Sequence, residues 1–167
     1  MLFVISCKNE KSLQSYLVET SSKEGFYTGD VPVNSMFSAK ADISKDMKEI
    51  TNSIKKINIA FLPKTADNIA AYEIEKRKLK NIFKENDTYK NLMSMKVKEM
   101  NIKVFYSGDT ASVDEVIAFG FGDKIGVGVV RLLGENMNPA KIIEMLKSLD
   151  YNESSSSLKQ LFKIYNN

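Results

Sequence analysis

Residues 113–133 read VDEVIAFGFGDKIGVGVVRLL, two apolar runs separated by Gly122-Asp123-Lys124. Val113 to Phe121 and Ile125 to Leu133 are rich in β-branched and aromatic residues, which fit the pleated, half-buried surface of a sheet. The Gly-Asp-Lys connection between them is hairpin chemistry, because Gly and Asp tolerate the backbone angles of tight turns. Working back along the chain, Ile102 to Tyr106 is a similar run, and Ser107-Gly108-Asp109-Thr110 joins it to Val113. Before it, Met93, Met95 and Val97 alternate with Ser94, Lys96 and Lys98, the period of two expected of a half-buried strand. These runs predict an antiparallel meander.

The flanking segments read as helices with one further strand. Lys11 to about Thr20 places Leu13, Tyr16 and Leu17 on one helical face. Gly25 to Asn34 mixes Gly, Pro and Asp with Phe26, Tyr27, Val31 and Val33, as an irregular or edge-strand segment does. Ser38 to Lys55 carries Ile43, Met47, Ile50 and Ile54 as a narrow helical stripe, with Asp42 or Ser44 as cap. Ile57 to Leu62 predicts a short buried strand stopped by Pro63, able to join the sheet as a parallel neighbour through a right-handed crossover. Thr65 or Asp67 opens a long helix to about Glu85, apolar at Ile69, Tyr72, Leu79, Ile82 and Phe83 and charged elsewhere. Asn138-Pro139 is a helix start, with Asn as cap and Pro at the first helical position, and Ile142, Ile143, Leu146 and Leu149 follow as its buried face. The expected architecture is α+β: an antiparallel strand meander of about four or five strands with helices packed mainly on one face. The other face, left partly open, would be the natural interaction surface, together with the loops between strands.

Composition narrows the chemistry. The 167 residues fit one domain, and no run of about 18 apolar residues marks a spanning helix. Net charge is +3 from 24 basic and 21 acidic residues. Lysines interleave with acids, as in Glu73-Ile74-Glu75-Lys76-Arg77-Lys78, which reads as a solvated helix face rather than a phosphate-tracking stripe. The only other arginine, Arg131, lies far along the chain, and a nucleic-acid partner is not expected. The absence of histidine removes imidazole bases, Ser-His-Asp triads and His-ligated metals. A single cysteine, Cys7, removes an intrachain disulfide and Cys-rich zinc sites.

No motif supplies catalysis in their place. Gly120-Phe121-Gly122 and Gly126-Val127-Gly128 suggest a phosphate loop, but such a loop needs a helix N-terminus after it, and here a strand follows. Strand glycines mark bulges or close packing instead. Ser107-Gly108-Asp109 and Gly122-Asp123 lack the spaced acids of a calcium loop and read as turns. Glu73 and Glu75 lie on different sides of a helix, and Asp114 and Glu115 point to opposite faces of a strand, so neither pair can work as an acid and a base together. Met93, Met95 and Met100 are read as core fillers, though a Met-rich surface can also bind adaptably. Tyr16 and Tyr72 are read as packing residues with their hydroxyls at the rim.

The N-terminus carries a different signal. Leu2-Phe3-Val4-Ile5 is apolar, Ser6-Cys7 follows, and the chain turns polar at once with Lys8-Asn9-Glu10-Lys11. Val4-Ile5-Ser6-Cys7 looks like a lipobox, in which the cysteine is diacylated and becomes the first mature residue. Two acyl chains, at about 0.8 kcal/mol per buried CH₂, hold a domain stably on a membrane. The apolar stretch is shorter than the 7–15 residues of a full signal core. Either the start lies upstream of Met1, or the segment is a short strand with a buried free cysteine.

Several segments together resemble the Bacteroidetes lipoprotein family known as domain of unknown function 4252. They are Ser6-Cys7; Tyr89-Lys90-Asn91-Leu92-Met93; Val113-Asp114-Glu115-Val116-Ile117; and Val129 to Gly134 followed by Asn138-Pro139. The resemblance covers roughly residues 7–150. The low-complexity run Ser154 to Ser157 makes residues 151–167 read as a polar, serine-rich tail, in which Leu158, Leu161, Phe162 and Tyr165 can form a short helix. The resemblance implies residues 1–7 as a truncated lipoprotein signal and residues 8–150 as a single α+β domain. It also implies lipidation at Cys7 and a place in the cell envelope, on the outer or inner membrane and facing periplasm or exterior. The expected role is a non-catalytic binding module for an unknown envelope protein or small ligand, with no catalytic residues, cofactor or metal. The rival roles are carriage of a small apolar ligand and a carboxylate- or lysine-based hydrolase.

Overall fold

The computed structural model describes residues 12–31 and 45–148. In chain order it has helix α1 (Leu13–Thr20), strand β1 (Tyr27–Val31), helix α2 (Lys45–Ser53), strand β2 (Ile54–Pro63) and helix α3 (Ile69–Glu85). Strands β3 (Lys90–Val97), β4 (Met100–Gly108), β5 (Val113–Gly122) and β6 (Gly126–Met137) follow, and then helix α4 (Pro139–Ser148). The fold is α+β. All six strands form one sheet in the order β1-β2-β6-β5-β4-β3, antiparallel at every pairing. The signal over residues 1–7, Cys7 and the tail over 151–167 lie outside the described residues.

The meander β3 to β6 stands as its turn residues predict. Its register puts Ile117 opposite Phe105 on β4 and opposite Arg131 on β6. At the turn between β4 and β5 Asp109 Oδ1 accepts the Ala111 N–H at 3.1 Å, a local bond that closes the hairpin. Gly108 there has φ +108°, where a side chain would be strained.

Three expectations are corrected. The sheet has six strands rather than four or five, because the Gly25–Asn34 segment supplies β1, with Tyr27 opposite Phe61 and Val31 opposite Ile57. The strand after α2 is no parallel neighbour: β2 runs antiparallel to both β1 and β6. Ile57 on one face and Ala60 and Leu62 on the other are all buried, so β2 needs cover on both faces, but a buried pattern carries no information about the direction of its neighbours. The strand also starts earlier, since Ile54 and Lys55 belong to β2 and not to the preceding helix.

The third correction concerns the faces, because helices cover both. On one face α1 and α3 press Leu13, Tyr16, Tyr72, Leu79 and Phe83 onto Leu62, Phe105, Ile117, Phe119 and Val129. On the other, Ile50 of α2 and Ile142 of α4 join Ile57, Val104, Val116 and Leu132. Each fully buried side chain of this size contributes about 1.5–3 kcal/mol of transfer free energy. The cause is visible in β5 and β6, where Val116 and Ile117 are both buried, as are Val127, Val129 and Leu132. Apolar side chains on both faces of a strand require cover on both. Met93, read as a core filler, packs against the second core.

Two helix starts show how local chemistry sets the boundaries. Asn138 Oδ1 accepts the Ala140 and Lys141 N–H groups at 2.9 and 3.2 Å, so α4 begins as read, with Pro139 first. The α3 start moves from Thr65 or Asp67 to Ile69. Asn68 uses its amide to donate to the Pro63 carbonyl and its oxygen to accept the Thr65 N–H, which ties down the turn between β2 and α3.

Candidate functional site

The hairpin turn between β5 and β6 and the turn between β3 and β4 lie at the same end of the sheet. Between them and the flank of α3 is a groove of about 340 Å³. Phe121 lies in it near the end of β5, Lys96 and Asn101 come from β3 and β4, and Lys76 comes from α3. Asp123 and Lys124 of one turn and Glu99 of the other complete it.

The walls are held from behind. Phe121 packs 5.3 Å from Phe119, whose ring lies 5.7 Å from Phe83, so a chain of aromatic contacts runs from the groove into the core. Gly122 is pressed against the facing turn: a Cβ there would sit 2.6 Å from the Glu99 carbonyl oxygen. Lys124 Nζ reaches Glu99 Oε1 at 2.6 Å and links the two turns across the open side. Beside the groove, the Tyr72 ring is held between Lys64 and Lys76, whose ammonium nitrogens lie 4.4 and 4.8 Å from its centroid. The Tyr72 hydroxyl reaches Asp123 Oδ1 at 3.4 Å, as its reading as a packing residue with a hydroxyl at the rim implies.

Three lysines and two carboxylates line the groove. Burial alone would lower the Lys76 pKa, but the hydrogen bond from Lys76 to Glu73 and the nearby Tyr72, Glu73 and Asp123 outweigh it, and the pKa is raised. The hydrogen bond from Lys64 holds the Asp123 carboxyl below its usual range. Lys80 Nζ stands 4.7 Å over the Phe121 ring, and among the described residues neither Lys80 nor Lys96 is ion-paired with an acid. The groove thus combines one aromatic surface, the ammonium of Lys96, with that of Lys80 beside it over Phe121, and two carboxylates already bound to lysines. It can hold an anion. It does not bring a free acid and a free base together. Among the described residues no three His, Cys, Asp or Glu side chains converge as a metal site.

Two other polar clusters tie elements together. Glu115 on β5 is buried and accepts from Ser107 at 3.1 Å and from Arg131 Nε at 2.5 Å, while Arg131 also donates to Gln14 of α1 at 2.5 Å. Under α1, Glu75 is 3% exposed and accepts from Lys23 Nζ at 2.7 Å, while Lys78 also bridges Glu75 and Glu19. The Tyr16 hydroxyl lies near this carboxylate but falls short of a hydrogen bond, and it is buried rather than at a rim. Burial first, and then the Glu75 charge, push its pKa up.

The candidate groove lies at the loops between strands, one part of the expected surface, and not on the sheet face that was the other part. That face carries α2 and α4. Glu73 and Glu75 point different ways, as the helical spacing implies: Glu75 is buried and Glu73 pairs with Lys76 at 2.9 Å. Asp114 is exposed and Glu115 buried, also as read. The groove itself escapes sequence reasoning because its residues come from four separate elements and share no spacing. The one local hint is Lys76 and Lys80, four apart on one helix face.

The sequence matches the family model described as Domain of unknown function (DUF4252) over residues 19–145. The chain belongs to that family. Comparison with curated proteins and with solved structures finds no match.

Proposed function

We propose, with membership of that family as the premise, that this domain is a non-catalytic binding module of the bacterial envelope, held on a membrane by acylation of Cys7. Its recognition surface is the lysine-walled groove around Phe121. The observation that carries this reading is the state of the groove's charges. Asp123 and Glu99 are committed to Lys64 and Lys124, while Lys80 and Lys96 remain available. A hydrolase of the carboxylate type needs an acid and a base with separated pKa values facing one substrate atom. This arrangement instead suits holding an anionic partner unchanged. The abrupt change from Leu2-Phe3-Val4-Ile5 to polar sequence after Cys7 supports the anchor.

Two measurements test the two halves. The first is intact-mass spectrometry of the native protein purified from membranes, expressed with its upstream genomic sequence and with Cys7→Ala as control. A mature chain starting at a diacylated Cys7 is expected, and an unmodified chain in the soluble fraction overturns the anchor. The second is co-sedimentation of the full Cys7→Ala chain with isolated envelopes. Capture is expected to fall at least tenfold on combining Lys80→Glu with Lys96→Glu, and capture insensitive to these charges overturns the groove.

A further inference from the structure

We infer that the groove is a subsite for an acidic saccharide, a pyranose ring bearing a carboxylate or phosphate. The inference rests on the binding-module reading and names its ligand. The first support is size. About 340 Å³ falls at the small end of clefts that hold small ligands, which run from roughly 300 to 1,000 Å³.

The second support is the mixture of charges. A polyphosphate or nucleic acid favours walls of one sign, with Arg forks for bidentate contacts. This groove has no arginine and places Glu99 and Asp123 among its lysines. Those carboxylates would repel a dense polyanion. Toward a sugar they are useful, since sugar hydroxyls can donate to them while the single anionic group meets a lysine. Asn101 adds an amide able both to donate and to accept.

The third support is Phe121. Its ring sits beside Asn101 and Lys96, fixed by Phe119 behind it, and presents an apolar surface to the groove. A pyranose has one face of C–H groups that can lie on such a ring. Lys80 now stands over Phe121 on an exposed side chain, an arrangement that is weak where water reaches it. Its four-carbon stem lets the ammonium move to the ligand's anion while the sugar takes the ring. Lys96, exposed and without an acidic partner among the described residues, supplies a second cation.

The test uses the full Cys7→Ala chain and backbone amide NMR. Trigalacturonate is expected to shift the amides of residues 96–101 and 121–124 saturably, with neutral galactotriose at least tenfold weaker. Lys80→Glu with Lys96→Glu should abolish the shifts, and Lys→Arg at the same positions should keep them. Phe121→Leu should weaken binding at least tenfold. The two lysine positions are exposed, so their variants keep the test valid even if the Phe121 variant unfolds. Phosphatidylcholine vesicles carrying a glucuronosyl lipid separate the sources. Binding to these vesicles but not to trigalacturonate supports a lipid-borne sugar, and binding to both supports recognition of the sugar itself.

Three outcomes overturn the inference: no saturable shift with either probe, equal shifts from inorganic phosphate, or equal binding to phosphatidylglycerol vesicles without sugar. Charge-dependent envelope capture without saccharide binding would remove the ligand and leave the binding module. Saccharide binding by a chain whose Cys7 is never acylated would remove the anchor and leave the ligand.

Discussion

Arg131 Nε donates to Glu115 Oε1 at 2.5 Å between adjacent strands, with the two side chains only 13% and 11% exposed. The residues are diagonal neighbours: Ile117 stands opposite Arg131, and Leu133 stands opposite Glu115. Ser107 of β4 and Gln14 of α1 complete the set, so one ion pair links three central strands to the first helix. A pair this well enclosed gives little net stability over an apolar replacement, yet breaking it from one side strands a charge.

Arg131→Met is therefore expected to destabilise the fold by about 3 kcal/mol, the lower end for a broken buried pair. Glu115→Leu combined with Arg131→Met should recover most of that loss. Urea unfolding of the two variants decides it. A double variant as unstable as the single one would show that the pair contributes a large net energy.

Under α1 the charges make a prediction about alkali. The hydrogen bond to Glu75 pushes the Lys23 pKa up to about 12. A lysine raised in the folded state adds stability that is complete below its unfolded value, near 10.4, and is lost as pH rises through the folded value. Tyr16 is shifted in the same direction, by burial and then by Glu75. Its neutral form is favoured in the fold, so its contribution also disappears as the unfolded phenol ionises near pH 10. The urea midpoint should drop as pH rises from about 9 to 12. Glu75→Gln should flatten the part due to Lys23, and Tyr16→Phe the part due to the phenol. The Lys23 side chain is 38% exposed, so solvent screens its share and the tyrosine should dominate.

Much of this architecture is legible because it is written locally. Gly122-Asp123-Lys124 and Ser107 to Thr110 announce hairpins, and Asn138-Pro139 announces α4, since each feature uses residues within a few positions of one another. The direction of β2 depends on pairing with β6, some seventy residues later, and no local pattern encodes it. The cover on both faces was signalled by unbroken apolar runs in β5 and β6, but the expectation that an antiparallel sheet leaves one face open outweighed that signal. A charged residue misled in the same way. Glu75 read as solvent-facing by type, and its distant partner Lys23 makes its burial possible. The groove is harder still, because Lys76, Lys96, Phe121 and Lys124 become neighbours only after the sheet and α3 have packed.

The start of α4 offers a contained test of a local reading. Asn138 Oδ1 satisfies two N–H groups that the helix leaves without partners. Asn138→Ala should cost about 1 kcal/mol by urea unfolding, with Asn138→Asp close to the native chain. Lys141, in the first turn of α4, also reaches Glu49 of α2 at 2.6 Å, so loosening this turn should raise amide exchange in α2 as well. Exchange confined to α4 would show that the two helices are held independently.

Gly120 and Gly122, two apart on β5, should behave differently when each is given a methyl group. At Gly120 the new Cβ would meet Met100 Sδ at 3.1 Å, the far part of a flexible side chain that can turn aside. At Gly122 it would meet the Glu99 carbonyl oxygen at 2.6 Å, and backbone has no such freedom. Gly122→Ala must push the turn between β3 and β4 away from the end of β5, and overpacking of this kind costs about 1–3 kcal/mol. Because that turn carries Glu99 and borders the groove, the same substitution should shift the amides of residues 96–101 and weaken any anion bound between Lys96 and Phe121. Gly120→Ala should leave those amides nearly in place. Thermal melts and amide spectra of the two variants make the comparison. Equal effects at the two positions would mean that the turn between β3 and β4 is not seated on Gly122, and the rigid groove would lose its main support.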